Sequence, residues 1–286
     1  MRSLALITGA TGGLGKAFAV ECARRGWDLF LTDLESDRLQ TLSGGLERAY
    51  GVRVHHRACD LTDAEDRSRL LQSLQQSPWR FHALFNVAGT DSEGPFLDQS
   101  PRQLRTILRL NVEATLEVTH TLLRLATPSR TFRIVNVASL AAYFPMPVKA
   151  TYAASKRFLL DFSLALRDEL RMEGASVTVL CPAGLPTTPE CIHAIEAQGL
   201  FGAITTANIG TVAAQTIDAA LKGHAVVIPG WLNRLLPGLS GLLPRSVVAG
   251  WIGRRWRTAR GARLDLNPSS GASGLDEPIP DLATRS

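Results

Sequence analysis

Thr8-Gly9-Ala10-Thr11-Gly12-Gly13-Leu14-Gly15 follows directly on the apolar run Leu4–Ile7 and leads into apolar positions at helical spacing from Lys16 to Arg25. Strand, glycine-rich turn and helix form the arrangement in which glycines admit a tight turn and let the backbone approach a pyrophosphate closely. The helix start then presents free N–H groups and the positive end of its dipole to the phosphates. A purely structural turn also uses glycines; the strand before and the helix after favour phosphate binding. Gly9, Thr11, Gly12, Gly13, Leu14 and Gly15 are the candidate binding positions.

Outward from this turn, short apolar runs alternate with helical patterns, the signature of βαβ units. Strands are expected near Leu4–Ile7, Leu29–Thr32, Arg53–Arg57, Ala83–Asn86, Arg133–Val137, Val177–Leu180 and Ala225–Ile228. Helical spacing occurs in Lys16–Arg25, Asp63–Gln76, Pro101–Leu125, Ala154–Met172 and Ile209–Leu221. The expectation is an α/β, Rossmann-like, doubly wound parallel sheet of seven strands with helices on both faces, in one domain over residues 1–230. At 286 residues and 45% hydrophobic content the chain can bury such a core. The run from Met1 to Ile7 is cut by Thr8-Gly9 too early for a signal segment, so the N-terminus reads as a strand.

The net charge of +5 is unevenly placed: residues 231–286 hold eight arginines and four acids, whereas residues 1–230 hold 23 basic and 22 acidic residues. A nearly neutral body argues against a nucleic-acid partner. Cys22, Cys59, Cys181 and Cys191 form neither a CxxC pair nor a dense framework, so no metal is expected and a reducing, cytoplasmic setting is.

Asp33 closes the second strand, where an acid accepts hydrogen bonds from a ribose 2′-hydroxyl and repels a 2′-phosphate. Leu34 and Glu35 add no compensating cation, so the pattern prefers NAD(H) over NADP(H), with Arg38 within reach and capping of the helix that starts near Glu35 as the alternative duty of Asp33. Tyr152-Ala153-Ala154-Ser155-Lys156 places a phenol and an ammonium on one helix face, about 5–6 Å apart at Cβ. A tyrosine titrates near pH ~10 unless nearby positive charge favours its phenolate, and Lys156 supplies such charge. Taken alone, such a pair is more often an ordinary surface feature than a reaction centre.

The glycine-rich turn, Asn86-Val87-Ala88-Gly89, Ser139 and Tyr152-x-x-x-Lys156 together resemble the short-chain dehydrogenase/reductase family over about four-fifths of the chain, from Ser3 to roughly Pro229. The resemblance implies that Ser139 holds the substrate oxygen, Tyr152 exchanges its proton, Lys156 binds the nicotinamide ribose and lowers the tyrosine pKa, and Asn111 completes a water-linked relay. It also implies cofactor contacts at Asp60 and Leu61, at Asn86, Ala88 and Gly89, and at Pro182, Ala183, Leu185 and Thr187. Ala183 and Leu185 depart from the family's usual glycine and β-branched residue. As single residues, Ser139 reads as a strand-end cap and Asn111 as a polar group bonded to backbone.

Tyr143, Phe144 and Met146, between Ser139 and Tyr152, form an apolar candidate substrate pocket with the expected lid at about 182–208, suiting a hydroxysteroid, 3-oxoacyl or aromatic ketone. Residues 231–263 are basic and apolar, resembling tails in the subgroup of hydroxysteroid and 3-oxoacyl reductases, and read as lid, oligomer contact or peripheral membrane contact. Residues 264–286 read as disordered. A homodimer or homotetramer is expected. The alternatives are an NADP(H)-dependent reductase of the same family, a non-catalytic dinucleotide-binding sensor or scaffold, and a membrane-surface recruitment protein.

Overall fold

A computed structural model describes residues 3–128, 131–185, 208–240 and 244–254. Seven strands, β1 (Leu4–Thr8), β2 (Asp28–Asp33), β3 (Val54–Ala58), β4 (Ala83–Asn86), β5 (Phe132–Val137), β6 (Ala175–Leu180) and β7 (Val226–Val227), form one sheet in the order β3-β2-β1-β4-β5-β6-β7. Every pairing is parallel. The inner strands β1, β2, β4, β5 and β6 are buried on both faces and are accordingly mostly apolar runs rather than alternating ones, whereas the edge strands β3 and β7 are only partly buried.

Helices α1 (Gly13–Arg24), α2 (Ser36–Tyr50) and α7 (Ile209–Leu221) belong to one face, where Phe18, Leu39 and Ile217 join Ile7, Leu31 and Phe85 in a buried cluster. On the other face, α3 (Ala64–Gln76) and α5 (Ala114–Arg124) bury Leu70, Leu74, Val118 and Leu122 against Leu6, Leu84 and Ile134. The long α6 (Ala150–Glu169) lies along β6 and supplies Leu159 and Leu160 to a third cluster with Val179 and Cys181.

Local chemistry fixes where these helices start. Asp63 caps α3 by accepting from Asp66 N, and Asn208 caps α7 by accepting from Thr211 N. Ser100 and Gln103 make a capping box ahead of α4 (Pro101–Leu108), with Pro101 in the first turn.

The span Pro101–Leu125, expected as one helix, is broken by a π-helical turn at Arg109–Glu113 between α4 and α5. The extra residue per turn rotates Asn111 inward, where it is wholly buried. Helix α8 (Trp231–Ser240) and a further helical stretch at 245–254 occupy the basic segment, and α8 touches the 3-10 turn Leu140–Tyr143. Among the described residues no helix is long and apolar enough to cross a membrane. The expected lid beyond Leu185, Thr187 within it, and the tail from 255 lie outside the described residues.

Candidate active site

The sheet order reverses between β1 and β4, and a doubly wound sheet opens its crevice at the carboxyl ends of the strands beside such a switch. Register aligns Thr8 with both Thr32 and Asn86, and Asn86 with Asn136, so β1 and β4 end level there and β2 and β5 one residue further. Thr8 Oγ1 accepts from Val87 N at 3.0 Å and Ala88 N at 3.1 Å, stitching the β4 exit onto the β1 exit. Asn86 Nδ2 donates to Asn136 Oδ1 and Thr119 Oγ1, and Asn136 Nδ2 to Ser163 Oγ, a buried polar chain running from β4 through β5 to α6. The side chain of Asn86 therefore braces the floor of the crevice.

The glycine turn is built for close approach. Gly9 sits at φ +63°, and a Cβ there would come within 2.8 Å of the Ala88 backbone. A Cβ on Gly15 would meet Gly9 O at 2.0 Å, so α1 can pack onto the turn only without one. At Gly12, the N-cap, α1 has no side-chain cap, which leaves the N–H groups of Gly13, Leu14 and Gly15 without a side-chain acceptor. An uncapped helix start over a backbone-only turn fits a dinucleotide's pyrophosphate.

Asp33 Oδ2 accepts from Thr11 N at 2.8 Å and Thr11 Oγ1 at 2.7 Å, and Oδ1 accepts from Leu34 N. Asp33 is thus not the cap of α2, whose N-cap is Glu35. Arg38 is paired with Glu35 at 3.1 Å. Asp60 holds its own turn through Thr62, and the Leu61 carbonyl accepts from the buried Arg67.

At the reaction corner, Tyr152 and Lys156 lie one turn apart on α6, with Nζ 5.7 Å from the phenol ring centroid. Lys156 is 5% exposed and donates to Val137 O at the end of β5, at 2.9 Å. Burial lowers its pKa to about 8, against the opposing pull of Asp91 and Cys181. A Cβ on Gly89 would sit 3.2 Å from that Nζ and 3.1 Å from Asn111 Oδ1, so the bare glycine makes room for both.

Asn111 Oδ1 accepts from Thr90 N, and its Nδ2 donates to Thr90 O and Ser155 Oγ, each near 3.0 Å. Its amide is thus bonded to backbone and to α6, pinning the β4 exit. Ser139 caps the 3-10 turn, its Oγ accepting from Ala141 N at 3.1 Å while its own proton remains available to an incoming oxygen.

Of the remaining predicted positions, Pro182 O accepts from Leu140 N, tying the β6 exit to the Ser139 turn, and Ala183 is half-buried beside it. Leu185 is buried with Leu14 and Val212 in the cluster beneath α1. Tyr143 packs on Ala142 and Cys181, and burial together with Cys181 raises its pKa, whereas Phe144 and Met146 are half-buried in the loop.

The sequence reading missed Lys149, one turn before Tyr152, whose Nζ lies 5.8 Å from the Tyr152 ring centroid and bridges Asp91 and Glu93. The i, i+3 spacing of Lys149 and Tyr152 was the available signal; the acids, some 58 positions away in sequence, gave none.

A doubly wound parallel sheet with an uncapped glycine turn at its switch point and a buried lysine beside a tyrosine defines a dinucleotide-binding oxidoreductase architecture. The chain belongs to the short-chain dehydrogenase family, whose model, described as short chain dehydrogenase, matches residues 3–191.

A very-long-chain 3-oxoacyl-CoA reductase of Laccaria bicolor is 31% identical over 175 residues, covering 60% of this chain and 52% of that protein. The chain thus matches about half the length of that relative. A protein of Chromohalobacter salexigens named sulfoacetaldehyde reductase 2 is 34% identical, with 64% and 72% covered. Among solved structures, a short-chain dehydrogenase from Sphingobium yanoikuyae in complex with NADPH superposes with a TM-score of 0.71 at 26% identity, covering 96% of this chain and 99% of that one.

Proposed function

We propose that this protein is an oxidoreductase that interconverts an apolar secondary alcohol and its ketone with NAD(H) preferred over NADP(H). The observation that carries the reading is the Tyr152–Lys156 pair, with Lys156 buried between Val137 O and Gly89 at the carboxyl edge of the sheet. When bound, the nicotinamide supplies or accepts the hydride.

Tyr152 gives its phenolic proton to the oxygen of a ketone, or takes the proton of an alcohol, while Ser139 Oγ donates a hydrogen bond to the same oxygen. Lys156 is charged below pH about 8 and so stabilises the Tyr152 phenolate across the neutral range. The uncapped N–H groups of Gly13, Leu14 and Gly15 would hold the pyrophosphate, Asp60 and Leu61 would serve the adenine, and Ala88, Gly89, Pro182, Ala183 and Leu185 would serve the rest of the dinucleotide. Asn111 holds Thr90 and Ser155 in place with its amide and completes a water-linked proton relay at this corner.

The NAD preference is supported by the Asp33 carboxylate at the end of β2 and by the commitment of Arg38 to Glu35. The apolar substrate class is supported by Tyr143, Phe144 and Met146 in the loop before α6. Packing of α8 on Leu140–Tyr143 favours a lid role for the segment from Trp231. The stacked, partly exposed Phe158 and Phe162 on α6 favour a homo-oligomer, and the unpaired thiols of Cys22, Cys59 and Cys181 suit a reducing, cytoplasmic setting.

The test is a screen of hydroxysteroids, 3-oxoacyl thioesters and small aromatic ketones with NADH and NADPH at one pH. The expected result is turnover of at least one class with a higher kcat/KM for NADH. Equal kcat/KM for the two cofactors would remove Asp33 as the selector, and no turnover of any class would favour the sensor reading.

A further inference from the structure

Lys149 closes a small ionic cluster that the reaction described above does not use. Its Nζ lies 2.5 Å from Asp91 Oδ2 and 3.2 Å from Glu93 Oε2, with the side chain 19% exposed. Burial pulls its pKa down, but the two carboxylates outweigh that pull and hold it above the ordinary lysine value. The cluster joins two segments. Asp91 and Glu93 sit on the loop leaving β4, just beyond Gly89, whereas Lys149 is the N-cap residue of α6.

Backbone bonds run in parallel: Gly94 N donates to Val148 O at 2.8 Å, and Gln99 Nε2 donates to Gly94 O. Val148, at φ +61°, holds a left-handed conformation that a β-branched residue rarely adopts. Strain of that kind persists only where surrounding contacts over-determine it, and here they converge one turn before Tyr152.

We infer that Asp91, Glu93 and Lys149 form an ionic clamp that fastens the β4 exit loop to the first turn of α6 and sets the charge balance felt by Tyr152, with Lys149 as a positioning residue. The titratable groups nearest this corner are Lys149 at the N-cap of α6 and Lys156 within it, Asp91 and Glu93 on the loop, Tyr143 on the 3-10 turn and Cys181 just past β6; Arg157 and Asp161 lie further along α6, and Arg102, Arg105, Arg109 and Glu113 lie on α4 and the π turn packed against it. Lys149 neutralises one of two carboxylates. Its removal leaves both uncompensated, which disfavours the phenolate of Tyr152. Removal of Glu93 alone leaves Lys149 balanced by Asp91, which favours the phenolate and keeps the pull of Asp91 on Lys156. At roughly 6 Å and an effective dielectric of about 40, one charge moves the Tyr152 pKa by roughly one pH unit. The clamp rests on the proposed role of Tyr152.

The chain has only three tyrosines, so ultraviolet difference titration with and without Tyr152→Phe isolates the ionisation of this one. In Lys149→Met the Tyr152 midpoint is expected to rise by roughly one pH unit, in Lys149→Arg to return to the wild-type value, and in Glu93→Gln, which leaves Asp91 acting on Lys156, to fall by up to roughly one pH unit. Circular dichroism across the same pH range reports whether each variant is folded. A midpoint unmoved in folded Lys149→Met, or equally displaced in Lys149→Arg, overturns the clamp. If Lys149→Met does not fold, Glu93→Gln decides by the opposite sign: a midpoint that does not fall in the folded variant overturns the clamp. Undiminished turnover by Tyr152→Phe would instead sink the proton-transfer reading, while an inactive Tyr152→Phe with unmoved midpoints sinks the clamp alone.

Discussion

Lys156 should be a stability burden that the protein carries for function. Its ammonium is 5% exposed and releases its proton near pH 8 rather than 10.5, because burial disfavours the charged form. At about 1.4 kcal/mol per pH unit, holding it charged costs the folded chain roughly 3 kcal/mol. Lys156→Met keeps the aliphatic stem but removes the hydrogen bond to Val137 O, which offsets about 1 kcal/mol of the gain. The net expectation is a stabilisation of about 2 kcal/mol at pH 7, or roughly 4–8 °C in Tm for a domain of this size.

The sign depends on pH. A base whose folded pKa is depressed burdens the fold fully below that pKa, and the burden fades as pH rises from 8 towards 10.5, where the unfolded chain also loses its proton. Near pH 10.5 only the lost hydrogen bond remains, so the variant should melt slightly below wild type. The assay is thermal denaturation of both proteins, without nucleotide, from pH 7 to 10.5. A variant less stable than wild type at pH 7, or a difference in Tm that does not change with pH, refutes the reasoning.

Two further perturbations act on the cofactor crevice. In Gly89→Ala the added methyl would stand 3.1–3.2 Å from Asn111 Oδ1 and Lys156 Nζ, both already pinned, so kcat/KM should fall roughly tenfold and Tm by about a few °C; steady-state kinetics showing no loss would mean the corner is more yielding than its hydrogen bonds suggest. Asp33→Ala removes the two bonds from Thr11 and the proposed ribose acceptor, so the kcat/KM ratio of NADH to NADPH should drop by about tenfold or more. An unchanged ratio would place cofactor selection elsewhere.

The inner strands were legible because they are buried on both faces and so read as apolar runs, while the edge strand β3, with Val54 its one buried residue, carries a weaker signal; β4 was expected over the residues it occupies, and the others shift by a residue or two. Helix α2 was not drawn from periodicity: only Leu39, Ser43 and Leu46 are buried in its 15 residues, and Gly44-Gly45 interrupts it. The break at Arg109–Glu113 was invisible because a π turn shifts the helical phase without removing apolar residues.

Motif spacing located Tyr152, Lys156 and the glycine turn, since each is a local pattern. Contacts between distant segments left no such trace. The buried Arg67 bonded to Glu117, the Asn86–Asn136–Ser163 chain and the Lys149 clamp depend on which loops the sheet order brings together.

The central claim is that Tyr152 carries the proton. Turnover of Tyr152→Phe, measured with NADH and the best ketone from the screen, tests it most directly because the substitution removes one hydroxyl and leaves the ring in place. The account predicts a fall in kcat of at least about a hundredfold with NADH affinity largely retained. Turnover within a fewfold of wild type would contradict it.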